Sequence, residues 1–246
     1  MKKVLALLFA FTLVVTLGAC GRSEDEWLYD GYAHVHGHYV GVVNIEVDED
    51  GVIESIWLDE YYLPYHWARV SADHAGNDDV LEVTMRGNTV YFAKYIKIGD
   101  KLFTGAPSAS GSYVEYTADG IDDFYAWIDI EENANWYVNR VQAEEFYLAN
   151  EDGSESDYER VEATSNAGMT KSSTDYWRRD DALGWDGNVE ETIAAFVDAV
   201  LPQDPTLTRD SESGLWSVND AETGATWSDF PDYFEVIKRA YNRVTE

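Results

Sequence analysis

Apolar residues recur at every second position through the first half of the chain and at helical spacing through much of the second. From Tyr39 to Val47, Val43, Ile45 and Val47 fall on one face while Asn44 and Glu46 fall on the other. Asp48-Glu49-Asp50-Gly51 then supplies a turn and Val52 to Leu58 resumes the alternation, which predicts a hairpin. A second hairpin is predicted from Val80 to Met85, a turn at Arg86-Gly87-Asn88, and a long strand from Thr89 to Ile98. Gly99-Asp100 turns into a short strand over Lys101 to Thr104. Ala106 to Ser112 reads as a loop of small residues, and Tyr113 to Tyr116 as a further strand ahead of Asp119-Gly120.

The period then changes. Ile121 to Ile130 and Asn135 to Phe146 are predicted helices, the second carrying Trp136, Val138, Val141 and Phe146 inward. Asn150 to Asp157 is a polar loop. Asn188 reads as the N-cap of a helix reaching Leu201, with Glu190 and Glu191 in its first turn and Ile193, Phe196, Val197 and Val200 facing a core. Pro202 and Pro205 end it, and Ser217 to Ala225 is predicted as a loop. The last helix runs from an N-cap at Ser228, with Pro231 in the first turn, to Val244, on a stripe of Phe234, Ile237, Tyr241 and Val244. Strands first and helices later predict an α+β fold, with antiparallel hairpins in the N-terminal half followed by packed helices.

Ahead of these elements stands a different kind of segment. Lys2 and Lys3 precede an apolar run from Val4 to Leu17 that is short for a permanent span and gives way at once to polar residues, as in a signal peptide. Leu17-Gly18-Ala19-Cys20 resembles the lipobox of bacterial lipoproteins. The resemblance implies cleavage after residue 19, acylation of Cys20, and a membrane anchor on the outer face of the cell membrane. The competing reading is an ordinary secretory signal with an incidental cysteine. Residues 20–28 are then a lipidated tether and 29–246 the folded body. That body is either one domain or two closely packed halves, about 29–150 and 151–246.

Composition narrows the chemistry. Cys20 is the single cysteine, so once it is acylated no thiol remains for disulfides, metal binding or catalysis. A formal charge of −30, from 47 acidic against 17 basic residues, repels nucleic acid and anionic headgroups. The aromatic share of 14% nevertheless argues for a packed body rather than a disordered one.

Chemistry concentrates just before the last helix, in Asp220-Ala221-Glu222-Thr223-Gly224-Ala225-Thr226. This segment is similar to the D-x-x-[ST]-G-A-T segment of the FMN-binding domain family. The resemblance implies that Asp220, Thr223, Gly224 and Ala225 belong to the cofactor site. It also implies that Thr226 receives FMN covalently, through a phosphoester installed by a separate flavin transferase that uses FAD. A hydroxyl is what such an ester requires, small neighbours would leave room for the transferase, and a following helix would offer N–H groups to the phosphate. Gly41 to Leu58, Ala167-Gly168-Met169-Thr170-Lys171 and Leu183-Gly184-Trp185-Asp186 also look like this group of lipoproteins. Glu222 and Thr223 stand where a small residue and Ser are commoner, and Trp227 is large for such a site. The implied role is that of a redox carrier, with a flavoprotein partner, rather than a self-contained enzyme. No catalytic residues are assigned.

Two other clusters carry the alternative, a solute- or metal-binding lipoprotein without flavin. On a strand, His34, His36 and His38 would all project to one face, and His66 or His74 would complete a four-ligand set. Tyr61-Tyr62-Leu63-Pro64-Tyr65-His66-Trp67 would stack on a flat ligand or simply cover the core. A third reading keeps the flavin-type fold as a surface adaptor with no cofactor.

Overall fold

The structure, a computed structural model, describes residues 27–161, 168–174, 184–201, 205–219 and 221–244. Cys20, the 1–19 segment and Asp220 lie outside these residues, as do Ala167 and Leu183. Among the described residues no helix is long and apolar enough to cross a membrane.

The first strands form an antiparallel meander, β1 (Trp27–Val35), β2 (Tyr39–Val47) and β3 (Ile53–Tyr62), in the order β1-β2-β3. The turn between β2 and β3 is closed by Asp48, whose carboxylate accepts the N–H groups of Asp50 and Val52 at 2.9 and 2.8 Å. A helical turn, α1 (Pro64–Trp67), leads into β4 (Arg69–Val70), β5 (Val80–Met85) and β6 (Asn88–Ala93), a sheet ordered β4-β6-β5. A third sheet has the order β10-β7-β8-β9, from β7 (Tyr95–Ile98), β8 (Lys101–Pro107), β9 (Val114–Thr117) and β10 (Phe146–Ala149). Two helices, α2 (Phe124–Ile128) and α3 (Glu131–Gln142), separate β9 from β10. The C-terminal part contributes α4 (Gly184–Phe196), a small sheet of β11 (Leu207–Arg209), β12 (Trp216–Val218) and β13 (Ala221–Glu222), and α5 (Phe230–Asn242). The architecture is a mixed α+β fold with antiparallel sheets mostly in the N-terminal half.

Several boundaries differ from the pattern-based expectation, each for a physical reason. The predicted 89–98 strand breaks at Lys94, whose N–H goes to Asp79 O, so that β6 and β7 belong to different sheets. Phe146 is not helical. It is five positions beyond Val141, off the helical stripe, and pairs with Ile98 as the first residue of β10. The 121–130 helix shrinks to α2 because Asp123 caps it late, accepting from Tyr125 N and Ala126 N. The predicted 217–225 loop contains β12 and β13, too short to alternate visibly. Helix α4 begins at Gly184 and ends at Phe196, so Asn188 is inside it rather than capping it. Helix α5 begins at Phe230 with Asp229 as its cap residue, not Ser228, and Pro231 keeps its place in the first turn.

The apolar stripe of α5 lies on β1 and β2, with Val236 and Ala240 fully buried. Gly31 and Gly41 permit the approach. A methyl on Gly31 would overlap the Val236 carbonyl, and one on Gly41 would stand 2.9 Å from a Val236 methyl. The opposite side is tied by polar atoms. Trp67 Nε1–H donates to Tyr137 Oη at 2.9 Å, and Tyr137 donates to Tyr62 O at 2.6 Å, all three residues being buried. Tyr137→Phe should therefore strand the Trp67 N–H, remove the bond to Tyr62 O, and cost about 1–3 kcal/mol in urea unfolding. An unchanged midpoint would show that this chain of hydrogen bonds contributes nothing net.

Candidate functional site

The loop between β13 and α5 is held from three directions. Thr223 is 3% exposed, and its Oγ1 accepts the Ala225 N–H at 3.2 Å, a hydroxyl-closed turn. Its own N–H donates to Trp216 O at 2.7 Å, and Trp216 Nε1–H donates to Trp227 O at 2.8 Å. Arg209, on β11, donates from Nη2 to Thr226 O at 3.0 Å.

The third restraint comes from inside α4. Asn188 is buried, donates Nδ2–H to Gly184 O at 2.7 Å, and presents Oδ1 to the loop. That oxygen accepts from Thr226 N at 2.8 Å, Trp227 N at 3.2 Å and the Thr226 hydroxyl at 3.4 Å. Asn188 thus does for a loop 38 residues later what an N-cap does for its own helix. One consequence departs from the sequence reading: the Thr226 and Trp227 N–H groups are engaged, and the cation beside Thr226 is Arg209 rather than a helix end.

The structure brings Thr223, Gly224, Ala225 and Thr226 together as predicted neighbours, but with different tasks. Ala225 is fully buried, and a methyl at Gly224 would overlap the Glu191 carboxylate. Their smallness serves packing against α4 rather than outside access. Of the four, Thr226 alone is exposed, with its hydroxyl 3.4 Å from Asn188 Oδ1.

The residues that follow Thr226, namely Trp227, Ser228 and Asp229, line a cleft of about 310 Å³, at the lower end of ligand pockets, together with His36, Lys171, Trp185 and Tyr233. Trp227 stacks on Tyr233, with ring centroids 3.8 Å apart and planes at 7°, and meets Trp185 at 5.4 Å. The Trp227 residue is 6% exposed, yet its Nε1–H is a buried donor with no hydrogen-bond partner among the described residues.

Lys171 reaches the cleft on the 168–174 segment, which runs along β3. Lys171 N donates to Glu60 O at 3.0 Å, Ser172 N to Asp59 Oδ1 at 3.2 Å, and Tyr61 bridges to Thr170. The Lys171 ammonium is 2.5 Å from Glu60 Oε2 and 2.6 Å from His36 Nε2, and sits 3.9 Å from the Tyr39 ring centroid and 4.5 Å from that of Trp185. Lys171 and Glu60 are both essentially inaccessible. Burial works to raise the Glu60 pKa, but the Lys171 charge and the His36 contact outweigh it and hold the carboxyl below its ordinary value. Burial pulls Lys171 down, against the upward pull of Glu60.

None of the sequence-assigned site residues included Lys171, Glu60 or Asn188 as functional groups. The Gly168-to-Lys171 stretch was singled out by resemblance alone, and nothing in the spacing of Glu60 pointed to it.

The histidines do not share a face. β1 ends at Val35, and His36 (φ +26°) and Gly37 (φ +86°) turn the chain. His34 Nδ1 pairs with Asp129 Oδ1 at 2.9 Å, His36 faces Glu60, and His38 stacks on Tyr65 at 3.6 Å. Among the described residues no group of three or more His, Cys, Asp or Glu side chains is arranged to hold a metal ion. His66, at the centre of the aromatic cluster, lies 4.7 Å from Tyr39 and 5.1 Å from both Tyr62 and Tyr65.

Burial lowers His66 to a pKa of about 3 and His38 to about 4, with nearby cationic groups adding to the effect. Both rings bind a proton more weakly folded than unfolded. Stability is therefore intact above the ordinary value of 6.5 and is lost as pH falls from there towards the folded values. The expected loss is roughly 1.4 kcal/mol per pH unit for His66, and less for the more accessible His38. Urea unfolding at pH 7.5, 6.5 and 5.5 should show it, and His66→Gln should flatten the profile. An identical profile in that variant would contradict a buried neutral ring.

Comparison of the chain with protein-family models, with curated proteins and with solved structures finds no match in any of the three.

Proposed function

We propose that this protein is a lipid-anchored, extracytoplasmic carrier of FMN, with the FMN phosphate esterified to Thr226. The observation that carries the reading is Thr226, an exposed residue whose hydroxyl makes a 3.4 Å contact with Asn188 Oδ1, on a loop pinned by Asn188 and Arg209 and followed at once by residues that line an aromatic cleft. Two features of the residues suit a flavin. Arg209 supplies a cation next to the acceptor in an otherwise acidic surface, and Trp227 holds a buried N–H, unpartnered among the described residues, where a planar acceptor would bind.

Attachment is a group transfer. The Thr226 oxygen bonds to the FMN phosphorus of FAD, the P–O–P linkage breaks, AMP leaves, and the hydroxyl proton passes to a base of the transferase. Asn188 and the Thr223-closed turn hold the loop so that the hydroxyl is presented without ordering cost. Once attached, FMN supplies one- and two-electron transfer, while the chain contributes orientation and electrostatics. Its fold-level likeness to FMN-binding domains, its membrane-side location and a flavoprotein electron donor are parts of this same reading.

The test is intact mass of the protein made together with a flavin transferase and FAD. A gain of one FMN unit located on Thr226 is expected. Unlabelled protein that retains zinc or copper through purification would favour the metal-binding alternative.

A further inference from the structure

Glu60, Lys171 and Trp227 belong to no attachment step, yet Lys171 and Trp227 line the cleft that follows Thr226, and Glu60 lies behind them against the Lys171 ammonium. We propose that these three residues recognise and tune the carbonyl-bearing ring of the attached flavin: Trp227 Nε1–H and Lys171 face its acceptor edge, and Glu60 sets how much of the lysine charge that ring experiences. This rests on the attachment of flavin at Thr226 and adds where the ring lies and what governs its potential.

Three observations carry it. First, a buried indole N–H without an acceptor is unfavourable, and the Trp227 donor has none among the described residues. A ring carbonyl would satisfy it. Second, Trp227 directly follows Thr226 in the chain and lines the cleft, so the arm between phosphate and ring needs to reach only the neighbouring residue's pocket. Third, the cleft contains a buried ammonium held by a buried carboxylate, an arrangement costly to bury for packing alone. The other charged or titratable lining groups are His36, 3.3 Å from Glu60 Oε2, Asp229 and Tyr233.

The consequence opposes that of the protein's overall charge. With a formal net charge of −30 the surface as a whole disfavours electrons on a bound ring, whereas a cation at short range favours them. Removing the pair together, as in the Glu60→Gln/Lys171→Met double variant, keeps the interior free of a lone charge. It should weaken the preference for reduced over oxidised flavin by about tenfold, a two-electron midpoint lower by about 30 mV. Trp227→Phe removes the donor while keeping an aromatic ring against Tyr233.

The experiment uses labelled full-length protein, made with the transferase, and reads flavin emission and midpoint potential. Emission well below that of free FMN is expected in the parent protein, with a partial rise in Trp227→Phe, which leaves Trp185 and Tyr233 in the cleft, and a lowered potential in the double variant. Labelled protein that emits like free FMN, or a potential unmoved in the double variant, would overturn the inference and leave attachment standing. Absence of label in the parent protein would remove both.

Discussion

Thr226→Ala should gain no flavin mass when produced with a transferase and FAD, whereas Thr226→Ser should gain it. The effect is all-or-none because the ester needs an oxygen at that place. Two other hydroxyls lie nearby, and the structure distinguishes them from Thr226. Thr223 is buried, with its oxygen already accepting the Ala225 N–H, and cannot reach an outside enzyme without unmaking the turn. Ser228 is exposed and donates to Asp229 at 3.2 Å, so its oxygen sits against a carboxylate that would repel an incoming phosphate. Peptide mapping of the alanine variant makes the point decisive. Label found on Ser228, or elsewhere, would mean that the loop geometry does not select the acceptor.

Glu60→Ala should destabilise the fold by about 3–5 kcal/mol, because it leaves the Lys171 ammonium buried without its carboxylate. Coulomb attraction in such a pair scarcely exceeds the cost of removing both charges from water, so the pair itself need not be strongly stabilising. The asymmetry appears only when one member is removed. Lys171→Met in the same background should recover much of the loss, since it deletes the stranded charge and adds apolar volume beside Tyr39 and Trp185. Urea unfolding of the two single variants and the double variant supplies the cycle. Simple additivity would mean that Lys171 finds another way to solvate its charge and that the pair is not coupled.

The sequence located the loop that carries the proposed acceptor without revealing how it is built. Thr223-Gly224-Ala225-Thr226 is a contiguous string, and local strings are what a linear reading detects. The clamp on that string is Asn188, which looked like a helix cap because Asn before an acidic, apolar-periodic run usually is one. Its real partners are 38 and 39 residues away, and no local pattern encodes them. Trp227 presented the converse case. It seemed too large for an attachment site, but the structure turns it inward onto Tyr233, leaving Thr226 outside.

The histidines show the same division. Alternation along Ala33 to His38 suggested three rings on one face, and that inference holds only while the strand continues. A left-handed turn at His36 and Gly37 ends it, and the rings go separately to Asp129, Glu60 and Tyr65.

What the chain determined by itself is therefore the local grammar: antiparallel hairpins from alternation and turn residues, amphipathic helices from their stripes, and the positions of isolated hydroxyls. Tertiary structure alone decided which polar groups are buried together. It joined Glu60 to Lys171 and Asn188 to Thr226, because the desolvation cost of a buried polar group is met by whatever partner packing brings within reach.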